Sequence, residues 1–155
     1  MSDAHVRSVR VVAAVWVRDG RVLAAQRGPG QSSAGLWELP GGKVEAGETD
    51  DAALVREIAE ELACPIEVVG DSLGTSEHTY PHVRVHVVAY PVRGVACEGG
   101  SDAEPMMTEH SALRWLAAHE LHEVDWVPAD TALLQAVAEW MEGSGAESHR
   151  RSPRT

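Results

Sequence analysis

The sequence predicts a single-domain α/β fold from three observations. The valine-rich run at residues 9–17 is typical of a buried strand, and the Asp-Gly dipeptide at 19–20 favours a tight hairpin that returns through residues 21–27. Apolar residues at helical spacing indicate a helix at 50–63, and another helix is expected at 129–141. Strands followed by helices in this way predict a sheet with helices packed against it.

Length and charge narrow the class of protein. The chain has 155 residues, 44% of them hydrophobic, which suits one domain with a core. We expect that domain at residues 1–142, followed by a disordered tail at 143–155 with little apolar content. The formal net charge of −11 argues against a nucleic acid polymer as partner, because such binding needs a basic face. With no apolar run of membrane-spanning length and no metal or redox spacing of its two cysteines, a cytoplasmic protein without a membrane partner is expected.

Glycine, proline and a capping residue define the first helix and the segment before it. Residues 36–39 form a short extended piece, which is stopped by Pro40-Gly41-Gly42. Thr49 is a suitable N-cap, and the two aspartates after it lie at the positive end of the helix dipole. Pro65 ends the helix, since the residue before a proline disfavours the helical conformation.

The second half of the chain is expected to add two strands and the last helix. Residues 66–74 and 83–92 have the composition of strands and are joined by a polar turn. Pro128 suits the first turn of the last helix. His82, Arg84 and His86 alternate with valines, so in a strand they would share one face.

The first helix carries a concentration of carboxylates. Its apolar residues lie on one side, as docking on a sheet requires, and Glu57, Glu60 and Glu61 fall in a narrow band on the other side. Carboxylates at this spacing repel one another, and a hard divalent cation with oxygen ligands would relieve the repulsion. The alternative is a solvated acidic face. Against it, Arg56 precedes Glu60 in the less favourable order for a helix ion pair, and a double-glycine loop that can approach a metal or phosphate comes before the helix.

These carboxylates belong to a longer pattern of strict spacing. Its fixed points are Gly42, Glu48, Arg56-Glu57-Ile58, Glu60-Glu61 and Ala63-Cys64. The pattern resembles the signature of the Nudix hydrolases. One position departs from it, because the family usually has glycine where this chain has Ala63. That glycine helps to end the helix, so we expect the turn to change by about a residue, with no effect on the catalytic groups.

The resemblance extends to both sides of the signature, from residue 9 to about residue 140. Residues 13–27 and 36–42 look like the first strands and the lead into the signature in the MutT-type branch of the family. Glu109 stands where MutT-type enzymes often carry a further metal-binding glutamate. Residues 121–130 are similar to a segment of MutT-type enzymes that act on cytidine or oxidised guanine nucleotides. The resemblance implies an α/β/α sandwich with a mixed, strongly curved sheet between helices.

The resemblance also implies a site for Mg²⁺ or Mn²⁺. The implied metal ligands are the Gly41 carbonyl, Glu57, Glu60, Glu61 and Glu109. Arg56 would orient a glutamate of this cluster, while Glu48 and Gly42 would support it structurally. The catalytic residues that the resemblance implies are Glu57, Glu60, Arg56 and Glu109. For the general base, Glu57 inside the cluster is the first candidate and Glu109 the second, and a mechanism without a side-chain base is the third.

Four residues are candidates for contact with the nucleotide. Lys43 follows the double glycine and would contact a phosphate, although an exposed lysine fits equally well. Asp130 in the first turn of the last helix would accept a hydrogen bond from an exocyclic amine such as that of cytosine, or else stabilise the helix N-terminus. Arg84 would either face the cleft or belong to a solvated face. Trp37 would stack on the base, with a place in the core as the alternative.

The implied reaction is hydrolysis of a nucleoside triphosphate to its monophosphate and pyrophosphate, in the sanitation of the nucleotide pool. Residues 121–130 favour (d)CTP and its 5-substituted forms, closely followed by 8-oxo-dGTP. One alternative is a hydrolase for ADP-ribose or another nucleotide conjugate, although such enzymes often have longer N-terminal segments. The other is a non-catalytic Nudix module that senses a nucleotide, and the four signature glutamates argue against it. The expected partner is a small-molecule nucleotide, for a monomer or a homodimer.

Overall fold

The computed structural model describes residues 7–95, 104–106 and 112–151, with side chains described as far as residue 143. Along the chain the elements are β1 (Arg7–Arg18), β2 (Arg21–Gln26), β3 (Trp37–Glu38), β4 (Gly41–Lys43), α1 (Asp50–Leu62), β5 (Ile66–Val68), β6 (Gly74–Tyr80), β7 (Val83–Gly94), β8 (Ala112–Ala117), a 3₁₀ helix (Ala118–Glu123), α2 (Pro128–Thr131) and α3 (Leu134–Arg151). None of the helices in these described ranges is long and apolar enough to cross a membrane.

One open, mixed sheet joins the strands of the described residues. Its main path is β3-β2-β1-β7-β5, and β4, β6 and β8 pair with β1, β7 and β2, respectively. The two longest strands, β1 and β7, run parallel from the pair Arg7–Val83 to the pair Trp16–Val92. Their neighbours are antiparallel.

The central strand β1 separates two cores. Its side chains alternate between the faces of the sheet because a strand repeats every two residues. Ala13 and Val15 enter a core shared with α3, whereas Val12 and Ala14 enter a core shared with α1. The sheet therefore lies between α1 and α3, and the predicted fold class of a mixed sheet between helices is confirmed.

The predicted β1–β2 hairpin is also confirmed. Arg18 pairs with Arg21 across a two-residue turn. Both turn residues have positive φ, 53° at Asp19 and 77° at Gly20, as the type I′ turn requires. The Asp-Gly dipeptide supplies the two residue types that adopt this conformation at low cost.

Helix α1 begins and ends close to its predicted bounds. The Thr49 hydroxyl accepts a hydrogen bond from the Ala52 N–H at 3.1 Å, which caps the first turn. After Leu62, Ala63 takes a left-handed conformation at φ 52° and ψ 44°. The expected change in the terminal turn is therefore wrong, because the alanine adopts the conformation in which glycine usually ends a helix.

Ala63→Gly is expected to stabilise the protein by about 1 kcal/mol, because a left-handed alanine costs roughly 1–2 kcal/mol and the added chain entropy of glycine offsets part of the gain. For a chain of this size that raises the thermal midpoint by about 2–4 °C. The matched control is Ala59→Gly at an exposed position inside α1, which should lower the midpoint instead. A decrease at both positions would contradict the assignment of strain to Ala63.

The strands after α1 differ from the prediction. Only Ile66–Val68 of the expected strand at 66–74 is a strand, and β6 (Gly74–Tyr80) occupies the expected polar turn. β6 has no alternation of apolar and polar residues, and among the described strands it pairs only with β7. Since an edge strand faces solvent along one side, it can form without the apolar pattern that predicts a buried strand.

The expected helix at 129–141 is two helices. α2 forms a single turn, and α3 starts at Leu134 and continues to Arg151, ten residues beyond the expected end. The backbone at 143–151 is thus helical where a disordered tail was expected. The next proline is Pro153, and the glycines at 143 and 145 weaken a helix without ending it, at about 1 kcal/mol each. Residues 152–155 lie outside the described ranges.

Candidate active site

A cleft of about 740 Å³ reaches from α1 on one side of the sheet to α2 on the other. The residues from β4 and α1 that line it are Gly41, Gly42, Lys43, Glu57 and Glu61. Val83, Val85 and Val87 of β7 give it an apolar wall, and Tyr80, Val127 and Asp130 line it as well. A few polar groups converging on an apolar wall are typical of sites for small molecules.

Both glycines of β4 are required by close contacts. Gly42 pairs with Val12, and Gly41 pairs with Ala13. A Cβ on Gly41 would lie 1.9 Å from the Val12 carbonyl oxygen, and a Cβ on Gly42 would lie 2.2 Å from the carboxyl carbon of Glu57. Because Gly41 has no side chain, β4 can lie close to the backbone of β1. Because Gly42 has none, the Glu57 carboxylate can lie directly against the backbone of β4.

Arg56 connects the acidic residues and the loop before α1. Its guanidinium donates to both carboxylate oxygens of Glu48 at 2.7 and 2.8 Å, to Glu57 Oε2 at 3.0 Å and to Glu60 Oε1 at 3.4 Å. It also donates to the Lys43 carbonyl at 3.0 Å. The fork geometry suits an arginine, since a lysine offers no paired N–H groups. The structure thus brings Arg56, Glu48 and Glu57 together.

The carboxylates differ in their surroundings. Arg56 and the backbone N–H of Glu45 hold the pKa of Glu48 at about 2, so Glu48 is a fixed anion. Burial raises the pKa of Glu57 and outweighs the opposing effect of Arg56. Oε1 of Glu61 is a fully buried oxygen, whereas the side chain of Glu60 is 60% exposed. Glu57 and Glu61 are therefore the inner members of the cluster.

The donor chemistry of this cluster fits a hard divalent cation. It combines the carboxylate oxygens of the half-buried Glu57 and Glu61, one of them fully buried, with the backbone of the two glycines that line the cleft. In the described part of the chain no three acidic, histidine or cysteine side chains converge closely enough to hold an ion as they stand. Glu57 and Glu60 are instead bridged by the guanidinium of Arg56, which supplies the positive charge. Glu109 lies outside the described residues.

Gly42→Ala is expected to lower kcat/KM for the nucleotide hydrolysis that the resemblance implies, by at least ~10-fold. This is the scale on which supporting groups of a metal site act. The added methyl group would displace the Glu57 carboxylate, a flexible side chain, so the fold should survive. Gly41→Ala is the contrasting variant, because its methyl group would meet the backbone of Val12 and should reduce stability instead. Thermal unfolding and steady-state kinetics separate the two effects, and unchanged activity in folded Gly42→Ala would contradict the contact.

Asp130 is the buried acid of the cleft. Asp130 is only 5% exposed, and its Oδ2 accepts a hydrogen bond from the Leu39 N–H at 2.8 Å. Burial raises the pKa of Asp130 to about 7, although the Leu39 hydrogen bond lowers it. Asp130 lies in the one-turn helix α2, so the role expected for it at the N-terminus of a long helix does not apply. Asp130 is therefore a buried carboxyl group in the lining of the cleft, with one oxygen held by the backbone of Leu39.

Two of the four expected nucleotide contacts are not brought to the cleft. Arg84 lies between Val83 and Val85, which line the cleft, so its side chain faces the other side of the sheet. Trp37 is 9% exposed and belongs to the core around α3, which removes its ring from stacking on a base. Lys43 does line the cleft and is exposed. His82, expected on the face of Arg84, lies in the turn before β7 and lines the cleft.

The cleft wall also contains an ion pair that is not among the residues predicted from the sequence. Arg27 donates to Glu38 Oε1 at 2.8 Å, and both residues line the cleft. The Arg27 guanidinium also donates to the Ser32 carbonyl at 2.5 Å, which ties the loop at 28–35 to the end of β2. The signal for Glu38 was a lone carboxylate between the apolar residues of the piece at 36–39.

Comparisons with known proteins place the chain in a family. The NUDIX domain family model matches residues 11–136. The putative 8-oxo-dGTP diphosphatase 2 of Mycobacterium tuberculosis (strain ATCC 25618 / H37Rv) is 45% identical over 148 residues, covering 91% of this chain and 96% of the relative. The CTP pyrophosphohydrolase of Escherichia coli (strain K12) is 37% identical over 131 residues, covering 84% and 92%, respectively.

A solved structure agrees with these relatives. The MutT protein (family Nudix hydrolase) of methicillin-resistant Staphylococcus aureus 252 has a TM-score of 0.67 and 36% identity, covering 86% of this chain and 98% of that chain. The expected resemblance is thereby confirmed along the sequence and in the fold. The chain belongs to the Nudix hydrolases and is an enzyme of the MutT type.

Proposed function

We propose that the protein hydrolyses a nucleoside triphosphate, as an NTP or dNTP, with water to give the monophosphate and pyrophosphate. The observation that carries this proposal is one cleft with two kinds of polar group: the carboxylates of α1 beside the glycines of β4, and the buried Asp130 beside Leu39. The first group suits phosphates bound with a divalent cation, and the second suits a base. The names of both relatives support a nucleoside triphosphate as substrate.

The carboxylates of α1 would hold Mg²⁺, or Mn²⁺ in its place. The proposed ligands are the Gly41 carbonyl, Glu57, Glu60 and Glu61 from the described residues, with Glu109 in addition. The cation, when bound, would neutralise phosphate charge and acidify the attacking water. Arg56 would then act through Glu57 and Glu60, and Glu48 would keep its guanidinium in place.

The residues of the chain supply the proton transfer and part of the phosphate contact. Glu57 is the proposed general base, because its burial raises its pKa and so increases its affinity for a proton. Glu109 remains the second candidate. Lys43, exposed at the end of β4, would place its ammonium group against a phosphate.

Asp130 would recognise the base. One of its oxygens is already engaged by the Leu39 N–H, which leaves the carboxyl group oriented in the cleft. As an anion it would accept a hydrogen bond from an exocyclic amine, and both cytosine and 8-oxoguanine carry one. We therefore propose (d)CTP, its 5-substituted forms and 8-oxo-dGTP as the substrates. An enzyme of this kind would remove altered nucleotides from the pool.

A nucleotide panel tests the proposal. With Mg²⁺ present we expect pyrophosphate release from dCTP, 5-methyl-dCTP or 8-oxo-dGTP, and much slower release from dUTP, in which a carbonyl replaces the amine of dCTP. ADP-ribose gives no pyrophosphate, so its turnover is scored as release of monophosphates. Turnover of ADP-ribose alone would favour a nucleotide-conjugate hydrolase. No turnover of any compound would favour a non-catalytic nucleotide-sensing module and overturn the proposal.

A further inference from the structure

Three residues that are not fixed points of the Nudix signature form a hydrogen-bonded clasp at the start of α1. The Arg10 guanidinium donates to Asp50 Oδ1 at 2.9 Å and to Asp50 Oδ2 at 2.6 Å. The Tyr90 hydroxyl donates to the same Oδ2 at 2.6 Å. Asp50 is the first residue of α1, while Arg10 and Tyr90 belong to β1 and β7. The clasp therefore fastens α1 to the central pair of parallel strands.

Asp50 lies on the side of α1 that leads to the inner carboxylates. Glu57 and Glu61 follow it after seven and eleven residues, which are close to two and three whole turns at about 3.6 residues per turn. The three carboxylates thus form one row along the helix, within about 20° of a line. A rotation or shift of α1 at Asp50 would carry Glu57 and Glu61 with it.

Strand β1, which carries Arg10, also sets the position of the two glycines of β4. Val11, Val12 and Ala13 of β1 pair with the three residues of β4. Immediately before them, the Arg10 carbonyl accepts a hydrogen bond from the Val44 N–H at 2.9 Å, and the Arg10 side chain holds Asp50. β1 therefore fixes both sides of the proposed metal site, β4 through its backbone and α1 through Arg10.

The distance between β4 and α1 can change very little. The Glu57 carboxylate already occupies the space that a Cβ on Gly42 would need, with its oxygens 2.3 and 2.6 Å from that position. We propose that Arg10, Asp50 and Tyr90 hold α1 at the spacing from β4 at which Glu57 and Glu61 bind the cation, which makes Asp50 a positioning residue. This inference rests on the proposed metal-dependent function.

The test compares Asp50→Asn with Asp51→Asn. Both changes remove one negative charge from the first turn of α1, so both weaken the interaction with the helix dipole to a similar degree. Asp51 is exposed, and only Asp50 is held by the clasp. The first measurement is the affinity for Mn²⁺ in the absence of nucleotide, detected by electron paramagnetic resonance. The second is the steady-state kinetics of nucleotide hydrolysis.

We expect Asp50→Asn to weaken Mn²⁺ binding about 10-fold and to lower kcat by a similar factor, the range in which outer groups of metal sites act. The nucleotide KM should change less than about 2-fold, because the clasp touches neither Lys43 nor Asp130. Asp51→Asn should leave Mn²⁺ binding and kcat unchanged. Tyr90→Phe removes a single hydroxyl group from the clasp, and we expect it to weaken Mn²⁺ binding in the same direction by a smaller factor.

Equal Mn²⁺ affinity and kcat in Asp50→Asn and Asp51→Asn would overturn the inference while leaving the proposed function standing. An Asp50→Asn protein that fails to fold leaves Tyr90→Phe to decide, and unchanged Mn²⁺ affinity in that variant would overturn the inference as well. Wild-type protein that binds no Mn²⁺ would overturn both the inference and the proposed function.

Discussion

Glutamine in place of Glu57 is expected to lower kcat at least ~100-fold, the scale of a lost general base or a displaced metal-binding group. The change removes the negative charge and the basic oxygen but keeps the size of the side chain. The fold should not lose stability, because burial disfavours the ionised form of Glu57 and raises its pKa. Arg56 keeps its two hydrogen bonds to Glu48 in the variant. The measurement is pyrophosphate release at saturating nucleotide and Mg²⁺.

The matched control is Glu139→Gln, which removes an equal charge from an exposed position on α3. Its kcat should equal that of the wild type. Mn²⁺ binding to Glu57→Gln then distinguishes the two proposed roles of Glu57. Weakened binding indicates that Glu57 is a metal ligand, and preserved binding with a low kcat indicates that it is the general base. Full activity in Glu57→Gln would refute both roles and leave Glu109 as the candidate base.

The parts of the site that the sequence predicts are those set by local geometry. Glu57, Glu60 and Arg56 lie on one helix, so the helical repeat alone places them together. The cap at Thr49 and the left-handed Ala63 bound that helix through contacts within four residues. The relative positions of residues on one helix depend only on their spacing in the sequence, so they can be predicted without knowledge of the fold.

The parts that could not be predicted depend on long-range pairing. Arg84 faces away from the cleft because the cleft forms on the side of β7 that carries Val83 and Val85, and the strand sequence alone does not state on which side a cleft forms. Asp130 meets Leu39 across 91 positions, and Arg10 meets Asp50 across 40. The place of Trp37 in the core depends on long-range packing as well, because a core tryptophan and a stacking tryptophan have the same sequence signal.

Asparagine in place of Asp130 is expected to remove a pH dependence from the stability of the fold. The pKa of Asp130 is raised from 3.8 to about 7, because burial and, to a smaller extent, the charge of Glu38 outweigh the lowering by the Leu39 hydrogen bond and by Arg27. Because the folded state holds the proton more tightly than the unfolded state, Asp130 stabilises the fold most below pH ~4. That contribution is lost as the pH rises through about 7. The loss is at most about 4 kcal/mol, at about 1.4 kcal/mol for each pKa unit.

The measurement is urea unfolding of both proteins at pH 5 and pH 8. Relative to the wild type, Asp130→Asn should gain about 2–3 kcal/mol of unfolding free energy between these two pH values. Acids with lowered pKa, such as Glu48 and Asp50, titrate in the opposite direction but do so in both proteins, so they cancel in the comparison. A stability difference that stays constant from pH 5 to pH 8 would contradict the raised pKa.

The same variant separates recognition of the base from support of the fold. In the wild type, kcat/KM for dCTP should rise about 10-fold from pH 6 to pH 8, because the ionised Asp130 accepts the amine hydrogen bond. In Asp130→Asn the Leu39 N–H engages the amide oxygen and the NH₂ group faces the base, so two donors oppose each other. Activity on dCTP should then fall about 10–100-fold, the cost of a buried polar mismatch, while dUTP gains an accepting carbonyl and is spared. For the purine substrate the matching pair is 8-oxo-dGTP and 8-oxo-dITP, which lacks the exocyclic amine, and an equal loss within either pair would show that Asp130 supports the fold without reading the base.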